Sequence, residues 1–159
     1  MGKEIERKFL VNGKIPSSVK GFTLQQGYLQ LQKERSVRIR TIESANKING
    51  YLTIKGIGDE TGASRYEFEI EIPVPDAKYL LTLCDQPLIK KTRYNYPFGG
   101  FLWEIDEFHD VNAGLILAEI ELESINQEFD IPDFIGKEVT GEVEYYNLML
   151  LKNPFTAWK

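Results

Sequence analysis

Carboxylates recur two residues apart at both ends of this chain: Glu4 and Glu6 near the start, and Glu119, Glu121 and Glu123 further on. On an extended strand such residues share one face, roughly 6.6 Å apart. Glu4 and Glu6 form the first candidate metal-binding pair, and the second series offers another in-line set. Hard oxygen donors of this kind suit Mg2+ or Mn2+, whose remaining coordination positions carry water or an oxygen of an anion. A basic set accompanies them: Lys8, Arg38, Arg40, Lys55, Lys91 and Arg93. Together they make an anion clamp, because a guanidinium engages two oxygens at once through its planar fork. Arg65 either joins that clamp or holds Glu67 or Glu69 in place. Glu67, Glu69, Glu104 and Asp106 are candidates to support the first ligands, to hold a second ion or to position water. Tyr28 can hydrogen-bond a ligand or a water, or can be a plain aromatic strand residue.

The elements that must position these groups read as strands. Residues 3–11 alternate, with Glu4, Glu6 and Lys8 on one face and Ile5, Arg7, Phe9 and Val11 on the other. Further alternating segments cover 23–31, 36–42, 50–57, 64–72, 88–96, 100–108 and 115–123. Turn-prone residues punctuate them at Asn46–Gly50, Gly56–Gly62 and Gly99–Gly100. Three stretches break the period. Pro75–Asp76 opens a short helix whose apolar side is Tyr79, Leu80, Leu83 and Cys84; residues 132–137 read as one turn or a short helix; residues 144–152 read as a C-terminal helix packed on the sheet.

One strand face is apolar: Val37, Ile39, Leu52, Ile54, Tyr66, Phe68, Ile70, Trp103, Ile105, Ala118 and Ile120. The other carries almost only charge, interrupted by Leu115 and Leu117. An ordinary sheet with an apolar core face and a charged solvent face accounts for each strand taken singly. In-line acids repel unless cations sit between them, which favours closing the sheet with the charged face inward. Periodicity permits both arrangements.

With 159 residues, one cysteine and a formal net charge of −5, the chain is expected to form one domain over 1–159, without a disulfide framework. The acidic balance argues against a nucleic-acid binder. No apolar run is long enough to cross a bilayer, and the charged opening lacks a secretion signal, so the expectation is a cytoplasmic protein with no membrane partner. A glycine-rich phosphate loop and a dinucleotide fingerprint are both missing. His109 falls in a turn with no assigned role, and Cys84 reads as a small packed hydrophobe.

The blocks EIERKFLV (4–11), QGYL (26–29), VRIR (37–40), LTIKG (52–56), RYEFEIEI (65–72), KTRY (91–94), WEIDEF (103–108), AEIELE (118–123) and EVTGEVEYYN (138–147) resemble, in order, the CYTH superfamily of triphosphate tunnel metalloenzymes. That resemblance implies an eight-stranded antiparallel β-barrel with accessory helices and a charged tunnel inside. It implies divalent-metal-dependent hydrolysis of inorganic triphosphate to pyrophosphate and phosphate, with Glu121 and Glu123 joining Glu4 and Glu6 at the metal. Glu119, Glu104 and Asp106 would hold a second metal or support the first. Lys8, Arg38, Arg40, Lys55, Arg65, Lys91 and Arg93 would bind substrate, and Lys8, Tyr28, Glu67 and Glu69 would act in catalysis. Related activities leave nucleoside or thiamine triphosphate, a cyclase reaction, or a non-catalytic polyphosphate-binding module as alternatives, and leave room for a homodimer. The chain departs from the pattern at Val143–Glu144–Tyr145, where a basic residue often precedes the tyrosine.

Overall fold

The computed structural model describes residues 2–32, 34–61 and 63–158, so Gly62 of the expected turn lies outside the described residues. Alternation builds five successive elements: β1 (Gly2–Val11), β2 (Gly21–Gln32), β3 (Arg35–Ser44), β4 (Lys47–Gly58) and β5 (Ser64–Ile72). Helix α1 (Val74–Leu83) follows, then β6 (Ile89–Phe98), β7 (Phe101–Phe108), β8 (Ile116–Glu121), the short β9 (Ile135–Glu138) and α2 (Asn147–Lys152). The strands pair antiparallel in the order β5-β4-β3-β2-β6-β7-β8-β1, and β1 also pairs with β5. This closes an eight-stranded barrel and removes the exposed edges of an open sheet.

The charged face lies inside. Apolar residues on the outer face are covered in two places. Helix α1 lays Ala77 and Leu81 over Ile39, Leu52 and Ile72 of β3, β4 and β5. Gly50 permits this close approach, since a Cβ there would lie 2.5 Å from the Cβ of Ala77. The segment between β8 and β9 covers the other side, where the Phe129 ring meets Phe9 and Trp103 at 6.2 and 5.9 Å.

A third apolar cluster sits on the inner face. Ile89, Phe108 and Leu117 share strand faces with Lys91, Asp106 and Glu119, and they pack with Tyr28, Val139 and Leu150. The C-terminal segment therefore lies against an apolar plug inside the barrel. Leu115 and Leu117, the exceptions to the charged row, are part of that plug.

Four expectations need correction. Within 132–137 only residues 133–134 form a turn, and it leads into β9, because β1 extends past its pairing with β5 and offers Phe9 and Val11 as partners. Arg7 secures this pairing with a forked contact to Glu138 at 2.7 and 2.6 Å. The C-terminal helix is shorter than expected: a 3-10 turn over Val143–Tyr145 breaks at Tyr146, whose extended ψ of 138° precedes α2. On α1 Leu80 packs as expected and Cys84 is buried just past its end, but the rest of the buried side is Ala77 and Leu81, while Tyr79 and Leu83 are exposed. The β3–β4 turn is only Ala45–Asn46, with Ala45 at φ 53°, and Ile48–Gly50 lie within β4.

Candidate active site in the barrel interior

Strand alternation delivers the inward rows to a cavity of about 380 Å³. In the ring order β8 stands diametrically across from β3, so the carboxylates of β8 look across the cavity at Arg38 and Arg40. Glu4, Glu6, Lys8, Tyr28, Arg38, Arg40, Lys55, Arg65, Glu67, Glu69, Arg93, Glu104, Glu119 and Glu121 all line it. Lys91 and Asp106 sit beneath the lining, and Glu123 lies past the end of β8 in an exposed turn, its backbone N–H donating to Gln127 Oε1 at 2.7 Å.

The basic wall is built by cross-strand pairing. Arg38 stands opposite Thr53 on β4, and Thr53 stands opposite Glu69 on β5. The Thr53 hydroxyl donates to Glu69 Oε2 at 2.6 Å, and Arg38 and Arg40 reach the same oxygen at 3.5 and 3.3 Å. The Nε atoms of both arginines are buried without a protein partner, which leaves donors for an anion. Burial and the neighbouring Arg38 and Arg93 push the Arg40 guanidinium down to about 9, so it stays charged at neutral pH.

Arg93 is fixed more tightly. Asp106 accepts from its Nε and Nη2 at 2.7 and 2.8 Å, and Glu104 accepts from Nη1 at 3.1 Å. The ammonium of Lys91, only 1% exposed as a residue, lies 2.7 Å from the same Asp106. Burial pushes Lys91 down to about 8 despite Asp106. Burial also acts to raise Asp106, but Arg93 and Lys91 overcome it and hold the carboxyl well below its usual range.

The acidic wall is crowded. Glu4 Oε1 accepts from Lys55 Nζ at 3.0 Å and lies 3.9 Å from Arg65 Nε. Burial raises Glu4 above the usual carboxylate range, with Lys55 opposing. Burial and Glu119 raise Glu6 further. Glu119 is held low despite its burial because Lys8 and the adjacent Glu6 carboxyl stabilise its charged form. Glu121 is raised by burial and by Glu4. Burial raises Glu104 as well, with Arg93 opposing.

Several lining groups carry no strong signal in the sequence. Thr53 shares the inward face of β4 with Lys55, so alternation was sufficient to find it. Thr140, Gly141, Val143, Tyr146 and Asn147 form a strap along one wall, positioned by partners more than a hundred residues away. The backbone N–H of Lys8 donates to Thr140 Oγ1 at 2.9 Å, its ammonium donates to the Tyr145 carbonyl at 3.3 Å, and that ammonium lies 5.4 Å from the Tyr146 ring centroid. Glu144, the departure noted above, is exposed and does not line the cavity. His109 Nε2 pairs with the Thr92 hydroxyl at 2.7 Å. Cys84 is buried, its thiol pushed up to about 11 by burial and Asp85. Among the described residues no helix is long and apolar enough to cross a membrane.

A closed antiparallel barrel with facing rows of acids and cations around one cavity defines a protein that binds a compact polyanion through side chains. Residues 2–148 match the model of the CYTH domain, and the chain belongs to the CYTH family. It is 49% identical over 161 residues to an inorganic triphosphatase from Acetivibrio thermocellus, covering 100% of this chain and 99% of that one. It is 34% identical over 150 residues to an inorganic triphosphatase from Nitrosomonas europaea, covering 92% and 95%. A crystal structure of an inorganic triphosphatase superposes with a TM-score of 0.65 at 32% identity, covering 93% of each chain. CYTH triphosphatases as a class depend on a metal ion.

Proposed function

We propose that the protein hydrolyses inorganic triphosphate to pyrophosphate and phosphate with Mg2+ or Mn2+ as cofactor. One observation carries this reading: Arg38, Arg40 and Arg93 are held by carboxylates on one side of an enclosed cavity whose other side is acidic. Carboxylates outnumber cations in the lining, so a polyanion enters favourably only with added positive charge. The residues fit a divalent ion. All the donors are hard oxygens, and one pair already holds a cation, the Lys55 ammonium between Glu4 and Glu67. Among the described residues no three acids, histidines or cysteines converge into a ready-made cage, so the ion would take one or two carboxylates at a time and complete its shell with water and phosphate oxygen.

Glu4, Glu6, Glu119 and Glu121 would hold the ion, which supplies charge neutralisation on the phosphate oxygens. Arg38, Arg40 and Arg93 fix the phosphate chain, and their donors stabilise the charge that develops on the departing pyrophosphate. Lys8 and Arg65 contribute further positive charge. Glu67 and Glu69 orient the attacking water, with Tyr28 as a further hydrogen-bonding group. Water attacks a terminal phosphorus, the bridging P–O bond breaks, and pyrophosphate leaves. Lys91 and Asp106 act through Arg93, holding its fork in one orientation.

Phosphate release from tripolyphosphate, pyrophosphate and ATP, each measured with Mg2+, with Mn2+ and with chelator, tests the reading. Tripolyphosphate is expected to be cleaved fastest, and only with metal. Faster turnover of ATP, or cleavage unaffected by chelator, refutes it.

A further inference from the structure

Arg93 is anchored by three hydrogen bonds to two carboxylates, but Lys55 is held differently. It projects from β4 opposite Glu67 on β5. Its Nζ lies 3.0 Å from Glu4 Oε1 and 3.6 Å from Glu67 Oε2. Its charge also acts on Glu6 and Glu121. One ammonium therefore sits among the acids that would hold a divalent ion. An ammonium is a point charge on a flexible four-carbon stem, so it changes partners at little cost compared with an arginine fork.

Lys55 and a divalent ion cannot use Glu4 together. Mg2+ binds carboxylate oxygen at about 2.1 Å, and an ammonium on the same oxygen would then stand within a few ångströms of a doubly charged ion. We propose that Lys55 is a tethered, exchangeable cation: it occupies Glu4 and Glu67 in competition with the metal and transfers to a phosphate oxygen when the metal arrives. This rests on the function proposed above and deepens it. Lys55 opposes metal binding when no triphosphate is present and couples the two ligands, because a displaced ammonium is best paired by the incoming anion. By linkage the coupling is reciprocal.

The test is Mn2+ binding to the full chain by titration calorimetry, alone and with a non-hydrolysable imidotriphosphate. Lys55→Gln and Lys55→Met, checked for folding by circular dichroism, are expected to bind Mn2+ alone at least about tenfold more tightly than the parent, which is the scale of removing one unit charge in contact with the site. Lys55→Arg keeps the competitor and stays within about threefold. Lys137→Gln is the control for a general charge effect, since the Lys137 ammonium is solvent-exposed and Lys137 does not line the cavity, and it also stays within about threefold. With Mn2+ saturating, the Gln and Met variants bind the analogue at least about tenfold more weakly. Unchanged or weaker Mn2+ binding in both neutral variants overturns the proposal, as does an equal gain in Lys137→Gln. Those outcomes leave triphosphate hydrolysis by the parent intact. A parent that binds no Mn2+ and cleaves no tripolyphosphate removes the function and the Lys55 inference together.

Discussion

Asp106→Asn tests whether the buried network beneath the cavity is held together by one carboxylate. Asp106 serves two cations at once, Lys91 at 2.7 Å and Arg93 at 2.7 and 2.8 Å, and the Asp106 and Lys91 side chains are only 3% and 2% exposed. The substitution keeps the shape, removes the charge and turns an acceptor into a donor aimed at a cation. Breaking a buried pair from one side typically costs about 3–5 kcal/mol because the partner is left uncompensated. That is a large share of the roughly 5–15 kcal/mol by which a domain is stable, and it corresponds to a Tm fall of roughly 6–20 °C.

The pH dependence separates this from generic damage. Burial already pushes Lys91 down to about 8 with Asp106 present. A lysine whose folded pKa lies below its unfolded value binds more protons in the unfolded chain, so stability rises with pH between the two values. Without Asp106 the folded value drops further and that rising limb extends down into the neutral range. Asp106 itself contributes stability above the ordinary carboxylate pKa that is lost only in strong acid, and the variant lacks that acid limb. Urea unfolding at pH 6, 7.5 and 9 should show the loss largest at pH 6 and partly recovered at pH 9. Adding Lys91→Met should restore part of it by removing the unpaired ammonium. A loss below about 1 kcal/mol at pH 7.5, the range of an exposed pair, or a loss independent of pH, refutes the reasoning.

Glu4→Gln and Glu6→Gln are expected to abolish metal-dependent tripolyphosphate turnover with the fold intact, as read by phosphate release and circular dichroism; near-normal activity in both removes them from the metal site. Leu150→Ala empties a fully buried position in the plug and should cost about 2–5 kcal/mol in urea unfolding; a cost below that range would mean the C-terminal segment is not packed into the barrel. Gly50→Val places carbon where Ala77 already stands and should cost about 1–3 kcal/mol, seen as a lower urea midpoint.

Strand positions were legible because alternation registers backbone geometry directly, and the barrel uses the segments expected of it. The site was legible only to the depth of the pattern. Glu123 continues the row of Glu119 and Glu121, but the strand ends at Glu121, and a row does not announce its last residue. Lys91 and Asp106 were correctly placed on the inward face, yet a pattern with period two carries no depth coordinate. The apolar residues Ile89, Phe108 and Leu117 on the same faces mark where open cavity gives way to plug. The strap falls in the block 138–147 that carries the resemblance, but nothing local to Thr140 or Tyr146 points to Lys8.

Which face is inside is the harder case, because inverting the sheet leaves every alternation unchanged. The energetics of the closed form decide it. An inward charged face is tolerable only if nearly every buried ion meets an opposite one, and here Glu69 meets Arg38 and Arg40, Asp106 meets Lys91 and Arg93, and Glu4 meets Lys55. The Asp106 and Glu69 contacts lie within one run of neighbouring strands, while the Glu4–Lys55 contact joins β1 to β4 across the β1–β5 seam and exists only once the barrel closes. Acids and bases distributed on different strands of one face are thus the trace that such a barrel leaves in a sequence. An open sheet with a solvated charged face has no need to match them.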